Sequence, residues 1–307
     1  MTSITSAVKK AHRDERTARI FITACGLIMT LIPFLIGIFL FVKGTDTFTT
    51  FHHPLSEFLF SGEWDPSDTA EGGGKIGSAM FITGSLAVCG LSLIFALPLC
   101  LASAIFMTEI ATPQMRRMVQ PAVELFTGIP SVVYGFVGMT VLIPFLRKIF
   151  PMPFGFSLLA AGIVLAVMIY PTITTMAADA MTSVPQAWRE ASYGLGATRW
   201  ETIAHVVLPA AKGGIVTGII LGLARAFGEA LAVAMVIGQM KVFPKSLFLP
   251  ASTLTTAISA DMGGAMEGGE YSAALWTMAL LLFILSFIFI FIIHTMNDMF
   301  TLKGDKR

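Results

Sequence analysis

The sequence predicts an all-α integral membrane protein with six transmembrane helices. Three observations carry that prediction. The 307 residues are 55% hydrophobic and only 13% charged, with a mean hydropathy of +0.79, and a soluble domain of this length cannot hide that much apolar surface. Six apolar runs of membrane length follow one another, and helices cross most economically because each backbone polar group is satisfied within its own segment. The basic residues are unequally divided between the two sides that six crossings define.

Residues 1–19 are polar and basic, with Lys9, Lys10, Arg13, Arg16 and Arg19 against Asp14 and Glu15. A long charged leader of this kind does not fit a cleavable signal. The first span is residues 20–42, long enough for one crossing at about 20 residues. In the loop 43–75, six acids (Asp46, Glu57, Glu63, Asp65, Asp68, Glu71) face two lysines. Its Gly72-Gly73-Gly74-Lys75 looks like part of a phosphate loop, but it lacks the GxxxxGK[ST] spacing and reads as a flexible linker. His52 and His53, with Glu57 and Glu63, have no spaced partner ligand, so they read as a solvated loop rather than a metal site.

The core, residues 76–296, holds apolar runs at 76–107, 119–146, 154–178, 213–240 and 271–296, and a polar tail occupies 297–307. Cys25, Cys89 and Cys100 lie in apolar runs without CxxC pairing and read as small buried hydrophobes. A net charge of +1 points to no nucleic-acid partner. With the N-terminus inside, thirteen basic residues fall on the cytoplasmic side and six outside, so both termini are expected in the cytoplasm.

The longest charged interruption among the apolar runs is residues 185–209, PQAWREASYGLGATRWETIAHVVLP. Pro185 suits a helix start, and Gly194 and Gly196 suit a left-handed close. Thr198 and Glu201 have the spacing of a capping box for a second short helix. The expected result is a stiff knob on the cytoplasmic face; a mere connector is the plainer reading. The spacing favours the knob. Glu190-Ala191-Ser192, three residues, Gly196, nine residues, Val206, one residue, Leu208-Pro209 resembles the EAA loop of permease subunits of binding-protein-dependent ABC importers, with Ser for the second Ala and Val for Ile. The resemblance implies a coupling helix seated in a cleft of a cytoplasmic ATPase, with Glu190, Ala191, Gly196, Arg199, Leu208 and Pro209 carrying the contact.

Span five contains the buried charges. Gly214, Gly218 and Gly222 recur every fourth residue, which lets a second helix approach closely, and Arg225 and Glu229 continue that register at plus three and plus four. Arg225 sits roughly 18 Å from the cytoplasmic start of the run, near mid-membrane. An ionised group there costs about 2.5–3.5 kcal/mol, so it requires a partner or a watery cavity. One reading is an ion pair within the helix. The other is an anion site on a translocation path: the guanidinium fork suits a tetrahedral oxyanion, and Glu229 neutralises Arg225 when the site is empty. Glu229 would also accept a hydrogen bond from a protonated phosphate oxygen, which sulfate lacks at neutral pH. In span three, Glu124, Thr127, Ser131 and Tyr134 are spaced as one polar helix face, read either as pathway lining or as helix packing, with Pro130 breaking the backbone bonding.

Four segments narrow the resemblance: GLARAFGEALAV at 222–233, GIPSVVYG at 128–135, SLFLPASTLT at 246–255 and FLFSGEWDP at 58–66. Together with the EAA loop they resemble the C-type membrane subunit of phosphate-specific (Pst) importers. The A-type partner usually reads RAxGETAPL, from which Ala230-Leu231-Ala232 departs; the C type often has GET, so Ala230 lacks a hydroxyl. The resemblance implies a type I ABC importer (MetI-like) permease fold in a bacterial inner membrane, with residues 43–75 in the periplasm. It also implies a heterodimer with the A-type permease, two ATPase subunits carrying the ATP and Mg, a phosphate-binding protein, and phosphate as cargo. No catalytic residue, metal or cofactor is then expected in this chain. The alternatives are a permease for sulfate, molybdate or an amino acid, an ion-gradient carrier using Glu229 as its proton site, and a membrane-embedded enzyme. For the last, no His/Asp/Ser constellation has usable spacing within the spans.

Overall fold

A computed structural model of the chain describes residues 2–69 and 71–304, with side chains described for 15–69, 71–289, 291, 292 and 295. The side chains of Lys9, Lys10, Arg13 and Lys303, and residues Lys306 and Arg307, which enter the charge count above, lie outside these sets. Among the described residues, six helical segments are long and apolar enough to cross a membrane.

The first, α1 (Thr2–Thr49), outruns the apolar run 20–42 at both ends. It packs along α13 (Glu270–Gly304), where the Thr277 hydroxyl is hydrogen-bonded to the Thr47 hydroxyl and the Gly44 carbonyl. The apolar window of α1 is otherwise unburied, as suits a helix whose solvent is lipid. Cys25 is therefore exposed rather than buried, unlike Cys89 and Cys100.

The centre is α7 (Leu158–Thr182), whose apolar window is 72% buried. It packs against α3 (Ala79–Ile105) and α10 (Leu208–Phe227). The glycine stripe is the α10–α7 seam: a Cβ on Gly214, Gly218 or Gly222 would lie 2.4, 2.7 or 2.6 Å from Ala180, Met176 or Ile173. Without side chains on that face the backbones close to dispersion distance, which drives association where no hydrophobic effect operates between helices.

Two apolar runs are not single helices. In the run 119–146, α4 (Pro113–Gly128) ends at extended Ile129 and Pro130, and α5 (Ser131–Val137) starts afresh. It continues through a π-helical turn, Gly138–Leu142, into α6 (Ile143–Ile149). Pro130 has no N–H to give and forces the residue before it out of the helical region. The run 213–240 breaks too: α10 stops at Phe227, and α11 (Leu231–Ile237) follows after Gly228, Glu229 and Ala230. The two half-helices pack together, with Gly135 of α5 against Ala232 and Met235 of α11.

At one end of the bundle, α2 (Leu55–Phe60), the antiparallel pair β1 (Trp64–Asp65) and β2 (Lys75–Ile76), and α12 (Leu254–Asp261) cover the helix ends. The Gly-rich stretch is no linker. Gly72 and Gly73 adopt positive φ (74° and 98°), and the N–H groups of Gly73, Gly74 and Ser67 converge on the fully buried Glu270 carboxylate at 2.7–3.0 Å. His53 is bonded to the same carboxylate at 2.6 Å and to Glu57 at 3.1 Å, so it is a mostly buried bridge rather than a solvated loop residue. Backbone amides that in a phosphate loop cradle an external anion here hold an internal one.

Candidate functional site

At the opposite end, Pro185 caps α8 (Gln186–Gly194), and α9 (Arg199–Thr202) follows after Gly196. Gly196 has φ +86°, a left-handed conformation that costs other residues about 1–2 kcal/mol; Gly194 does not share it. The Thr198 side chain accepts the Glu201 N–H at 3.3 Å, and the Glu201 carboxylate accepts the Thr198 N–H at 2.7 Å, which closes the capping box. A Ser192–Thr202 hydroxyl bond of 2.9 Å ties the two helices together. A π-helical turn, Ile203–Val207, leads into Leu208-Pro209 at the head of α10. Glu190, Ala191, Gly196, Arg199 and Pro209 are exposed, and Leu208 is half-buried. Trp188, Trp200 and Leu195, the last 90% exposed, surround them with apolar surface.

The knob is bolted down from within. Arg189 is 9% exposed and forms a salt bridge with Glu109 at 2.9 Å. The same guanidinium donates to the carbonyls of Met181, in the last turn of α7, and of Val184, just beyond it. Arg199 donates to the Glu109 backbone carbonyl.

In the membrane, Arg225 is half-buried and donates to the Thr172 hydroxyl of α7 at 3.2 Å. Glu229 lies in the break, so it does not continue the α10 face as the helical register predicts. Gly228 ends the helix, and the Glu229 carboxylate accepts the Ala232 N–H at 2.9 Å, capping α11. No carboxylate lies within 4 Å of the Arg225 guanidinium among the described residues, so the two charges are not an ion pair. Thr255 donates to the Glu229 carbonyl at 2.9 Å, and Ser85 and Thr253 line the same small pocket.

The polar stripe of span three is divided by its break. Glu124 and Thr127 are exposed on α4, where Gln120 donates to Glu124 at 2.9 Å; Ser131 and Tyr134 belong to α5. Tyr134 is buried, and its hydroxyl donates at 2.5 Å to the Phe126 carbonyl in the last turn of α4. That carbonyl has no intrahelical partner once the helix stops, so Tyr134 fastens the break.

The sequence profile of the family described as binding-protein-dependent transport system inner membrane component matches residues 103–300. The chain belongs to that family. It is 49% identical over 293 residues to the probable ABC transporter permease protein YqgH of Bacillus subtilis, covering 95% of this chain and 94% of that one. It is 38% identical over 260 residues to the phosphate transport system permease protein PstC of Pasteurella multocida, covering 78% of each. By sequence it groups with C-type permeases. Its fold matches a bacterial alginate ABC transporter bound to its periplasmic protein (TM-score 0.62, 19% identity, 91% of this chain and 94% of that one). It also matches the inward-facing MetNI methionine ABC transporter (0.54, 23%, 71% and 91%). The fold is therefore that of a MetI-like type I ABC importer permease.

In this inner-membrane permease, four residues matter that sequence reasoning did not single out. Thr172 is one of several threonines in an apolar run and Thr255 lies between two runs, and only the packing of α7 and α12 reveals them. Arg189 and Glu109 left a fainter trace: Glu109 stands just past the run 76–107 and Arg189 within the charged stretch 185–209, each with no opposite charge three or four residues away.

Proposed function

We propose that the chain is the C-type pore subunit of an ATP-driven importer of inorganic phosphate, working by alternating access. One observation carries the reading. Arg225 holds a positive charge inside span five with a neutral hydroxyl as its hydrogen-bond partner, so among the described residues no carboxylate compensates that charge. A half-buried cation of this kind is stable beside water or an anion, and a guanidinium fork matches a phosphate oxygen pair. The PstC relatives are phosphate permeases by name. Glu229 uses Oε1 to cap α11, which leaves Oε2 to accept from a protonated phosphate oxygen.

On this reading residues 185–209 and both termini are cytoplasmic, and loop 43–75 faces a phosphate-binding protein. A homologous A-type permease completes the pore. ATP closure of two ATPase subunits drives the knobs together and opens the cavity outward; hydrolysis reverses it. Glu190, Ala191, Gly196, Arg199, Leu208 and Pro209, with the apolar Trp188, Leu195 and Trp200, form the ATPase contact. Glu124, Thr127 and Ser131 border the path at the break in span three, and Tyr134 holds that break in shape.

The test is uptake of labelled phosphate and sulfate by the reconstituted importer. Arg225→Lys is expected to lower phosphate uptake at least tenfold, and Glu229→Gln to weaken discrimination against sulfate. Equal uptake of both anions by the parent protein, or unchanged behaviour of both variants, refutes the assignment.

A further inference from the structure

The root of the knob holds a charged joint that the cycle above does not require. Glu109 sits in a π-helical turn, Phe106–Ile110, that prolongs α3 toward the knob, and its side chain is 7% exposed. Arg189 of α8 faces it with a near-bidentate fork: Nη2 at 2.9 Å from Oε1 and Nε at 3.4 Å from Oε2. A buried ion pair is weak evidence for stability, because apolar residues of similar volume hold such a contact as well or better. What a fork adds is fixed relative orientation. The knob is joined to α7 and α10 by the chain itself, whereas it reaches α3 through side chains. At its other end, α3 carries Ser85, whose hydroxyl accepts the Leu254 N–H at 2.9 Å. Leu254 opens α12, and its neighbour Thr255 donates to the Glu229 carbonyl.

We infer that Arg189 is a positioning residue that locks the knob to α3 through Glu109, so that the ATPase stroke reaches the Glu229 break along α3 and α12 as well as along α10. The inference rests on reading the knob as the ATPase contact. The two ends of α3 then move as one lever. Losing the joint is expected to leave the ATPase docked and hydrolysing while less phosphate moves per ATP.

The experiment uses the complete importer in proteoliposomes, with Glu109→Ala and the isosteric Glu109→Gln. Both leave Arg189 its carbonyl partners and Arg199 its backbone partner. Glu109→Ala is expected to lower phosphate moved per ATP at least fivefold with ATPase co-purification within twofold of the parent, and Glu109→Gln to lower it about twofold. If the alanine variant does not assemble, the glutamine variant decides. Unchanged phosphate per ATP in the assembled variant, or a loss of assembly that accounts for all of the lost transport, overturns the joint alone. A parent importer that neither retains an ATPase nor moves phosphate overturns the functional reading and the joint together.

Discussion

The Arg225 guanidinium donates to the Thr172 hydroxyl at 3.2 Å across the α10–α7 seam, while Glu229, four residues on, turns its carboxylate to the Ala232 N–H. The seam is narrow there because Gly222 packs on Ile173. Thr172 thus orients a cation that the helix break has separated from its sequence neighbour. A hydrogen bond to a charged group is worth about 1.5–3 kcal/mol, which corresponds to roughly tenfold or more. Thr172→Val is therefore expected to raise the transport KM for phosphate about tenfold, and Thr172→Ser to leave it near the parent value. Kinetics of labelled phosphate uptake decide.

Gly135 sets how closely the two half-helices approach. A Cβ there would lie 2.7 Å from Met235 Sδ and 3.0 Å from the Ala232 Cα, and the second neighbour is backbone. Overpacking of this kind costs about 1–3 kcal/mol. Gly135→Val is expected to lower the thermal midpoint of the detergent-solubilised protein and to abolish uptake, whereas Val133→Leu on the exposed side of the same helix leaves both unchanged. A Gly135→Val protein with parental midpoint and uptake removes any role for this contact.

The spans, the knob and its capping box could be read from the chain because each rests on local rules: apolar length, proline and glycine punctuation, and the Thr198–Glu201 spacing. Arg225 could be read because a charge in an apolar run is rare. What periodicity misplaced was Glu229, since a single helical register carries no signal that Gly228 ends the helix or that the carboxylate prefers a free N–H to the guanidinium. The same error merged Glu124, Thr127, Ser131 and Tyr134 into one stripe, although Pro130 stood between them. The Glu270 cradle was out of reach for another reason. Its carboxylate and its donors are about 200 residues apart, and a Gly-rich stretch looks the same whether its amides meet solvent or a buried acid.

Gly196 holds φ +86°, and its N–H donates to the Tyr193 carbonyl at 2.9 Å. Proline fixes φ near −65° and has no N–H, so Gly196→Pro removes both the turn and the bond. Alanine keeps the N–H and pays about 1–2 kcal/mol for the left-handed conformation. Gly196→Pro is expected to abolish transport-coupled ATP hydrolysis while the importer still assembles, and Gly196→Ala to retain a measurable fraction. Normal coupled hydrolysis in the proline variant would mean that the turn transmits nothing.

The His53 bridge makes the loop end of the bundle sensitive to pH. Burial works against protonation of His53, but its hydrogen bonds to Glu270 and Glu57 and their charges outweigh it and raise its pKa above the ordinary 6.5. A raised histidine pKa means that the folded state binds the proton more tightly than the unfolded chain does. The stabilisation is complete below 6.5 and disappears as pH climbs through the raised value. Amide protection of Gly73 and Gly74, corrected for base catalysis, is therefore expected to fall as pH rises above 6.5, because these two N–H groups share the Glu270 carboxylate with His53. His53→Gln is expected to flatten that dependence and to hold protection at its high-pH level throughout. Protection that rises with pH, or a slope unchanged in the glutamine variant, would show that the proton on His53 does not hold the loop.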